Sequence, residues 1–249
     1  MRRVLIALSF ALIAPVASAQ SFGDLLRGIV GPSESNTEEE TSNSSFLSGI
    51  SSEDADAGLR EALILGAQAV GSQLSLENGY FGDQQIQIPL PGRLGELQSS
   101  LSRFGLSGPL DDLQLRLNRA AESAAPQAAD LIVGAVQSLT IDDAISLLKG
   151  GDTAATDLLR QKTEPDLLAL LQPYMRNALQ ETGAITTAEQ VAGRYGLSAV
   201  SDDLTTQLID HAVDEGLDGL FFYLAKEEQD IRNNPVKRST DLLRRVFGG

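Results

Sequence analysis

His211 is the only histidine in the chain and the first residue to test for chemistry, because the sequence contains no cysteine. The chain therefore cannot build a Cys/His zinc site, and a Ser-His-Asp triad would have to use this one imidazole. Glu215 lies four residues further along the same helix face, and Asp210 and Asp214 form a parallel pair, an arrangement that could hold a metal ion weakly. We expect instead an ordinary, partly exposed histidine.

Paired carboxylates are the other residues that could act as general acid and base. Asp142 adjoins Asp143, and Glu227 adjoins Glu228. Adjacent side chains on a helix point about 100 degrees apart, so each pair is a poor dyad. The sequence has no G-x-S-x-G elbow, no Glu-x-x-His pair and no phosphate-binding glycine loop. We assign no catalytic residue, metal ligand or cofactor and do not expect an enzyme.

The charge balance argues against a nucleic-acid partner. The formal net charge is −15, and the densest basic cluster, at 237–238 and 244–245, is offset by nearby carboxylates. We interpret the acidic residues as solvated helix faces that aid solubility. An acidic face that binds cations or a basic partner is the alternative.

The N-terminal residues predict export. Arg2 and Arg3 precede an apolar run over 4–16, and the small-x-small pattern at 17–19 is one that signal peptidase accepts. We interpret 1–19 as a cleaved signal peptide. No later apolar run reaches roughly 18 residues, and no cysteine is present to accept a lipid, so we expect a soluble periplasmic or secreted protein.

The mature chain is expected to begin with a tethered segment. Residues 20–31 carry apolar side chains at helical spacing and predict a short amphipathic segment, which could dock on an envelope protein or a membrane interface. An unstructured tail is the alternative. Residues 32–46 are rich in serine and glutamate, with almost no side chain able to anchor a core, and predict a disordered linker.

Residues 47–249 predict one all-α domain, in which about eight or nine helices form a single irregular or orthogonal array. Ser51 and Asp54 give a capping pattern for the first helix. The longest helix is expected over 109–139, kinked near residue 122 by Pro126. Later helices are expected to follow Asp152 and to start near residues 164, 186, 202, 217 and 239.

Three stretches resemble a bacterial exported family catalogued as domain of unknown function 4197. They are RLNRAAESAAPQAAD with TIDDAISLLKGGDTAATDLLR over 116–160, GLDGLFFYLAKEEQDIRNNP over 216–235, and RSTDLLRRVFG over 238–248. The resemblance runs from about Ser48 to the C-terminus. It implies an α-helical exported domain and brings no reaction, cofactor or catalytic residue.

The family-like stretches contain a set of polar residues that we treat as a candidate network. Arg119 with Glu122 and Glu228 with Arg232 have i, i+3 and i, i+4 spacing, which favours ion pairs on helix surfaces. The alternative is a semi-buried network in which these arginines meet acidic residues of other helices beside a cleft. The candidate network comprises Asn118, Arg119, Glu122, Asp152, Thr156, Glu228 and Arg232.

Three function classes follow, which we rank as a non-catalytic binding or scaffolding module of the cell envelope, a carrier of an apolar small molecule, and a hydrolase. A carrier needs a cavity, and the alanine-rich middle of the 109–139 helix is where the sequence would leave one. The same alanines are also typical of tight helix contact. The candidate cavity comprises Leu117, Ala121, Ala124, Leu220 and Phe221.

Overall fold

A computed structural model describes residues 50–138, 140, 144–196 and 201–248. The chain divides into a unit of residues Met1–Ser44 and a unit of Ser45–Gly249, and all described residues belong to the second. The predicted signal peptide, amphipathic segment and linker lie outside the described residues.

Within the described residues the chain forms eight α-helices, one short 3-10 helix and no strand, which confirms the all-α array. α1 begins at the predicted cap, where Ser51 Oγ accepts a 3.0 Å hydrogen bond from the Asp54 amide. The helices are α1 (Ser52–Leu74), α2 (Gly92–Ser102), α3 (Gly108–Ser138), α4 (Ala144–Leu148), α5 (Ala154–Glu181), α6 (Ala184–Arg194), α7 (Ser201–Asn233), the 3-10 helix (Pro235–Lys237) and α8 (Asp241–Phe247).

The four long helices pack against one another in the cyclic order α1, α3, α5, α7. α1 and α3 are antiparallel, because Arg60 donates to the carbonyl of Val136 while Gly71, later in α1, faces Ala129. α5 and α7 are also antiparallel, because Thr156 bonds Glu228 and Gln172 bonds Asp210. Apolar side chains from all four helices meet in one large core.

The prediction that the 109–139 helix is the longest was wrong. α7 has 33 residues and α3 has 31, and α5 joins two segments that were predicted as separate helices. α5 continues through Pro165 because its buried side chains keep a four-residue spacing at Leu159, Thr163, Leu167 and Leu171. Burial of this unbroken row compensates for the hydrogen bond that the proline removes.

α7 likewise joins the helices predicted to start near residues 202 and 217. Gly216 and Gly219 do not interrupt it, since both are buried against other elements. A methyl group added at Gly219 would lie 2.8 Å from the Tyr80 ring, so glycine here permits close approach of the α1–α2 connection. Among the described residues no helix combines the length and the apolar character needed to cross a membrane.

Candidate functional site

Glu122, on α3, fastens the connection between α1 and α2. Its side chain is buried, and Oε1 accepts hydrogen bonds of 3.2 Å from the amides of Tyr80 and Phe81. Oε2 accepts from Arg119, whose other amino group reaches Asn78 Oδ1 at 3.0 Å. Asn78 has a φ of 68°, so the chain turns in the left-handed region next to this ion pair. The carboxylate therefore stabilises a turn in which these two amides would otherwise have no hydrogen-bond partner.

Asn118, one residue before Arg119, fixes the end of the same connection. Its Oδ1 accepts from the Ile88 amide and its Nδ2 donates to the Ile88 carbonyl, both at 2.8 Å. This side chain is fully buried and pairs with Ile88 as a neighbouring strand would. The isoleucines at 86 and 88, which alternate as in a strand, are thus held without a sheet.

Tyr80 joins this connection to α7. Its hydroxyl donates a 2.6 Å hydrogen bond to the Gly216 carbonyl, inside the core. Burial, with a smaller contribution from Glu122, raises the pKa of Tyr80 far above its usual value, so the phenol stays protonated. We name Glu122, Arg119, Asn118 and Tyr80 the loop clamp.

Glu228, on α7, accepts hydrogen bonds at the start of α5. Its oxygens accept from the Ala155 amide at 3.1 Å, the Thr156 amide at 2.7 Å and the Thr156 hydroxyl at 2.6 Å. The first amides of a helix have no partner within the helix, and a carboxylate there also interacts favourably with the helix dipole. Glu228, which is distant in the sequence, thereby takes the role of an N-cap residue for α5.

Arg232 completes this second cluster. Its guanidinium pairs with Glu228 at 2.6 Å and donates to the carbonyls of Leu147 and Leu148, both at 3.1 Å, where α4 ends. Both members of the pair are almost fully buried, with 8% and 2% of their side chains exposed. Glu228, Arg232 and Thr156 form what we name the junction clamp, because they hold the α4–α5 junction against α7.

The candidate network is therefore two clusters, which no hydrogen bond or ion pair joins among the described residues. Asp152 belongs to neither and accepts one exposed bond from Gln229 at 3.1 Å. The predicted pairs, Arg119 with Glu122 and Arg232 with Glu228, are formed. Glu122, Glu228 and Arg232 are buried and bind backbone groups of other elements, whereas Arg119 is partly exposed and binds side chains only. Neither the surface-pair hypothesis nor the cleft hypothesis anticipated that role. No buried side-chain polar atom lacks a partner within the described part.

The five candidate cavity residues are all buried, and no one of the three clefts described below brings them together. Three of the open clefts that border the described helices have linings without Leu117, Ala121 and Leu220. Ala124 lines a cleft of about 310 Å³ between α3 and α5, and Phe221 lines one of about 380 Å³ beside α7. At these positions the small side chains bring helices together.

His211 lies in an acidic region of α7. Its Nε2 is 2.8 Å from the carbonyl oxygen of Pro89, which orients the ring toward the α1–α2 connection. Partial burial, followed by the charges of Asp218 and Asp210, raises the pKa of the nearby Asp214 carboxyl. The described residues contain no group of three potential ligands arranged for a metal ion.

The cleft beside α7, which we name the α7 groove, was not predicted as a unit. Its floor includes Phe222 and Asp218 of α7, and its walls include Gln85 and Gln87 from the α1–α2 connection and Arg160 from α5.

Arg160 pairs with Glu164 and with Asp218, and its guanidinium lies 5.4 Å from the centre of the Phe221 ring. Phe222 is 38% exposed, and the Lys226 ammonium lies 4.3 Å from the centre of its ring. The phenylalanine pair in FFYLAKEE was the signal that could have indicated it.

A larger cleft of about 690 Å³ lies between the start of α3 and α6. Arg116 crosses it, with Nε 2.8 Å from Asp112 and Nη1 2.6 Å from the Thr182 carbonyl oxygen. The α6 wall is polar and presents Thr186, Thr187, Gln190 and Arg194. No sequence pattern singled out these residues, since a cleft between helices distant in sequence depends on tertiary packing.

Comparison with protein families gives a match over most of the chain. The model described as Protein of unknown function (DUF4197) matches residues 49–248, which covers nearly all of the described residues. No curated protein and no solved structure matches the chain.

Proposed function

The chain belongs to the family of proteins of unknown function DUF4197, and we propose that this member is a non-catalytic binding module of the bacterial cell envelope. One observation carries the proposal. The buried carboxylates of Glu122 and Glu228, which are the deepest acidic groups within the described residues, accept hydrogen bonds from backbone amides and arginine. Such groups build a rigid body, and recognition is left to the outer surface.

The α7 groove is the surface that we propose for recognition of a protein partner. It combines a half-exposed aromatic ring at Phe222 with charged side chains such as Arg160 and Asp218. Aromatic and arginine side chains are enriched among residues that dominate binding energy. Both walls are fixed by clamps, because the loop clamp holds the connection and the junction clamp holds the start of α5. A preformed groove loses little conformational entropy on binding.

Export is part of the same proposal. The arginine pair, the apolar run and the small-x-small pattern over 1–19 support a cleaved signal peptide and a periplasmic or secreted location. N-terminal sequencing of the mature protein is expected to begin at Gln20. A mature N-terminus elsewhere would contradict the cleavage site.

Native mass spectrometry of the protein purified from its own periplasm tests the binding role. We expect a stoichiometric protein partner. Phe222→Ala is expected to lower the fraction of the protein that carries this partner about tenfold, and Phe104→Ala is expected to leave that fraction unchanged. Phe104 is the matched control, because it is 77% exposed and lies on the turn between α2 and α3. Equal loss with both variants, or no bound protein, contradicts the proposal. A co-purifying lipid-sized molecule would favour the carrier of an apolar ligand instead.

A further inference from the structure

We propose that the cleft between α3 and α6 binds an elongated polar ligand that carries an oxyanion, a phosphate or carboxylate group, held by Arg194 at one end, with Arg116 at the other end of the cleft. It shares no residue with the α7 groove, so it is a second site, independent of the proposed function.

The α6 wall supplies hydrogen-bond donors that the protein itself does not use. The side chains of Thr186, Thr187, Gln190 and Arg194 line the cleft, and none has a hydrogen-bond or ion-pair partner among the described residues. Two hydroxyls, an amide and a guanidinium on one wall suit an acceptor-rich ligand. Arginine in particular binds phosphate and carboxylate through two parallel hydrogen bonds.

Arg116 is already positioned on the opposite side. Asp112 and the Thr182 carbonyl engage its Nε and Nη1, which leaves Nη2 without a partner in the described structure. Gly183 allows this placement, because a methyl group added there would lie 3.1 Å from Arg116 Nη1. Gly183 also has a φ of 73°, a conformation that favours glycine.

Local charge favours an anion although the whole chain does not. The net charge of −15 repels anions from most of the surface. In the cleft, Arg116 and Arg194 face a single carboxylate, Asp112, which is paired with Arg116. Adventitious anion binding elsewhere is thus disfavoured, and a saturable response would report this site.

The cleft is longer than one phosphate. Arg116 lies against Gly183, and Arg194 is eleven residues further along, about 16 Å at the helical rise. With a volume of about 690 Å³, the space accommodates an elongated polar ligand whose anionic group is held at one end. Inorganic phosphate and citrate are therefore probes for the anionic group rather than for the whole ligand.

Titration of the full mature chain with inorganic phosphate, and separately with citrate, at constant ionic strength tests the site by amide chemical shifts. We expect saturable shifts at 186–194, and an increase of about tenfold in Kd for Arg194→Gln. Lys162→Gln removes the same charge from an exposed position on α5 outside the cleft, and it is expected to leave Kd unchanged.

A second variant tests the open volume of the cleft separately from its charge. Thr186→Trp fills the space and keeps both arginines, so it is expected to weaken binding of both probes. Saturation with phosphate alone would identify a phosphoryl ligand, and saturation with citrate alone a carboxylate ligand. Shifts that do not saturate, that map elsewhere, or that survive both Arg194→Gln and Thr186→Trp would overturn the proposal. That result would leave the α7 groove untouched, because its test uses a protein partner and Phe222.

Discussion

The charged residues in the interior act mainly on the backbone. Glu228 accepts from two amides, one hydroxyl and one guanidinium, which gives a desolvated carboxylate several donors. Such a group is stable when every partner is present and costly when one is removed. Charge at this depth is therefore a structural requirement of the α4–α5 junction.

Glu228→Gln is expected to lower the free energy of unfolding by about 3 kcal/mol, because it leaves Arg232 buried without a counter-charge. Denaturant unfolding followed by circular dichroism measures this. The control is Glu227→Gln, one residue earlier, whose carboxylate pairs with the more exposed Lys237 at 3.0 Å. It is expected to cost less than about 0.5 kcal/mol. Equal costs would show that the junction clamp is not a buried ion pair.

Asp214→Asn is expected to raise Tm slightly at pH 7. The pKa of Asp214 is raised in the folded protein by partial burial and by Asp218, Asp210 and Glu164, while His211 opposes the shift. A raised folded pKa means that the ionised form costs stability at neutral pH, and this cost disappears as the pH falls to the usual aspartate range.

The gain from Asp214→Asn should thus vanish below about pH 4 in a series of thermal melts. Because the burial of Asp214 is only partial and much of its side chain is exposed, we expect an effect of no more than about 0.5 kcal/mol at pH 7. Asp130→Asn, on the exposed face of α3, is the comparison. A gain that persists unchanged at low pH would contradict the role of charge.

At the scale of elements, close contact between helices depends on small residues. A methyl group added to Gly71 on α1 would lie 2.4 Å from the Ala129 Cβ on α3, too close for two carbon atoms. A methyl group added to Gly134, which lies within α3, would have no neighbouring atom within 4 Å. The two glycines differ only in what packs against them.

Gly71→Ala is therefore expected to destabilise the protein by about 2 kcal/mol through overpacking. Gly134→Ala should stabilise it by about 0.5 kcal/mol, because alanine is the better helix former at an exposed site. Denaturant unfolding is expected to show that the two variants change the free energy of unfolding in opposite directions. If both variants shift stability in the same direction, the α1–α3 contact is looser than described.

The α1–α2 connection is an element without regular structure that depends on the loop clamp. Glu122→Gln is expected to speed amide exchange at Tyr80 and Phe81 about tenfold, since each amide donates to the carboxylate. Exchange in the middle of α1 should change less, which hydrogen exchange by NMR can resolve. Uniform acceleration across the domain would indicate global destabilisation instead.

At the scale of the whole molecule, the family match and the described helices begin at nearly the same place, residues 49 and 52. Residues 20–45 precede both. Their apolar spacing supports the proposal that 21–31 dock on an envelope protein or a membrane interface.

Deleting residues 20–45 is expected to leave Tm within about 2 °C while changing localisation or the set of co-purified partners. Thermal melts, cell fractionation and pull-down from the same strain measure the three effects. If localisation and partners stay unchanged, the segment has no docking role.

The sequence by itself determined the secondary-structure class and much of the core. Apolar spacing of three to four residues predicts α1 and α3, and Ser51 predicts where α1 begins, because these signals are local. The polar residues at 118–122 and 228–232 were also identified as a set. Their i, i+3 and i, i+4 spacing predicted two ion pairs on helix surfaces, and the structure forms both pairs with Glu122, Glu228 and Arg232 buried.

Tertiary structure decided what those residues do. Glu122 and Glu228 bind amides more than 40 and 70 positions away, and no local pattern contains such a partner. Separate helices were predicted to start near residues 164 and 217, yet α5 and α7 continue through both places. In α5 the burial of a continuous row of side chains outweighs the hydrogen bonds that Pro165 and Pro173 remove, and in α7 the buried Gly216 removes none. The two clefts likewise arise where helices distant in sequence meet. Their lining depends on packing, which is a property of the assembled fold.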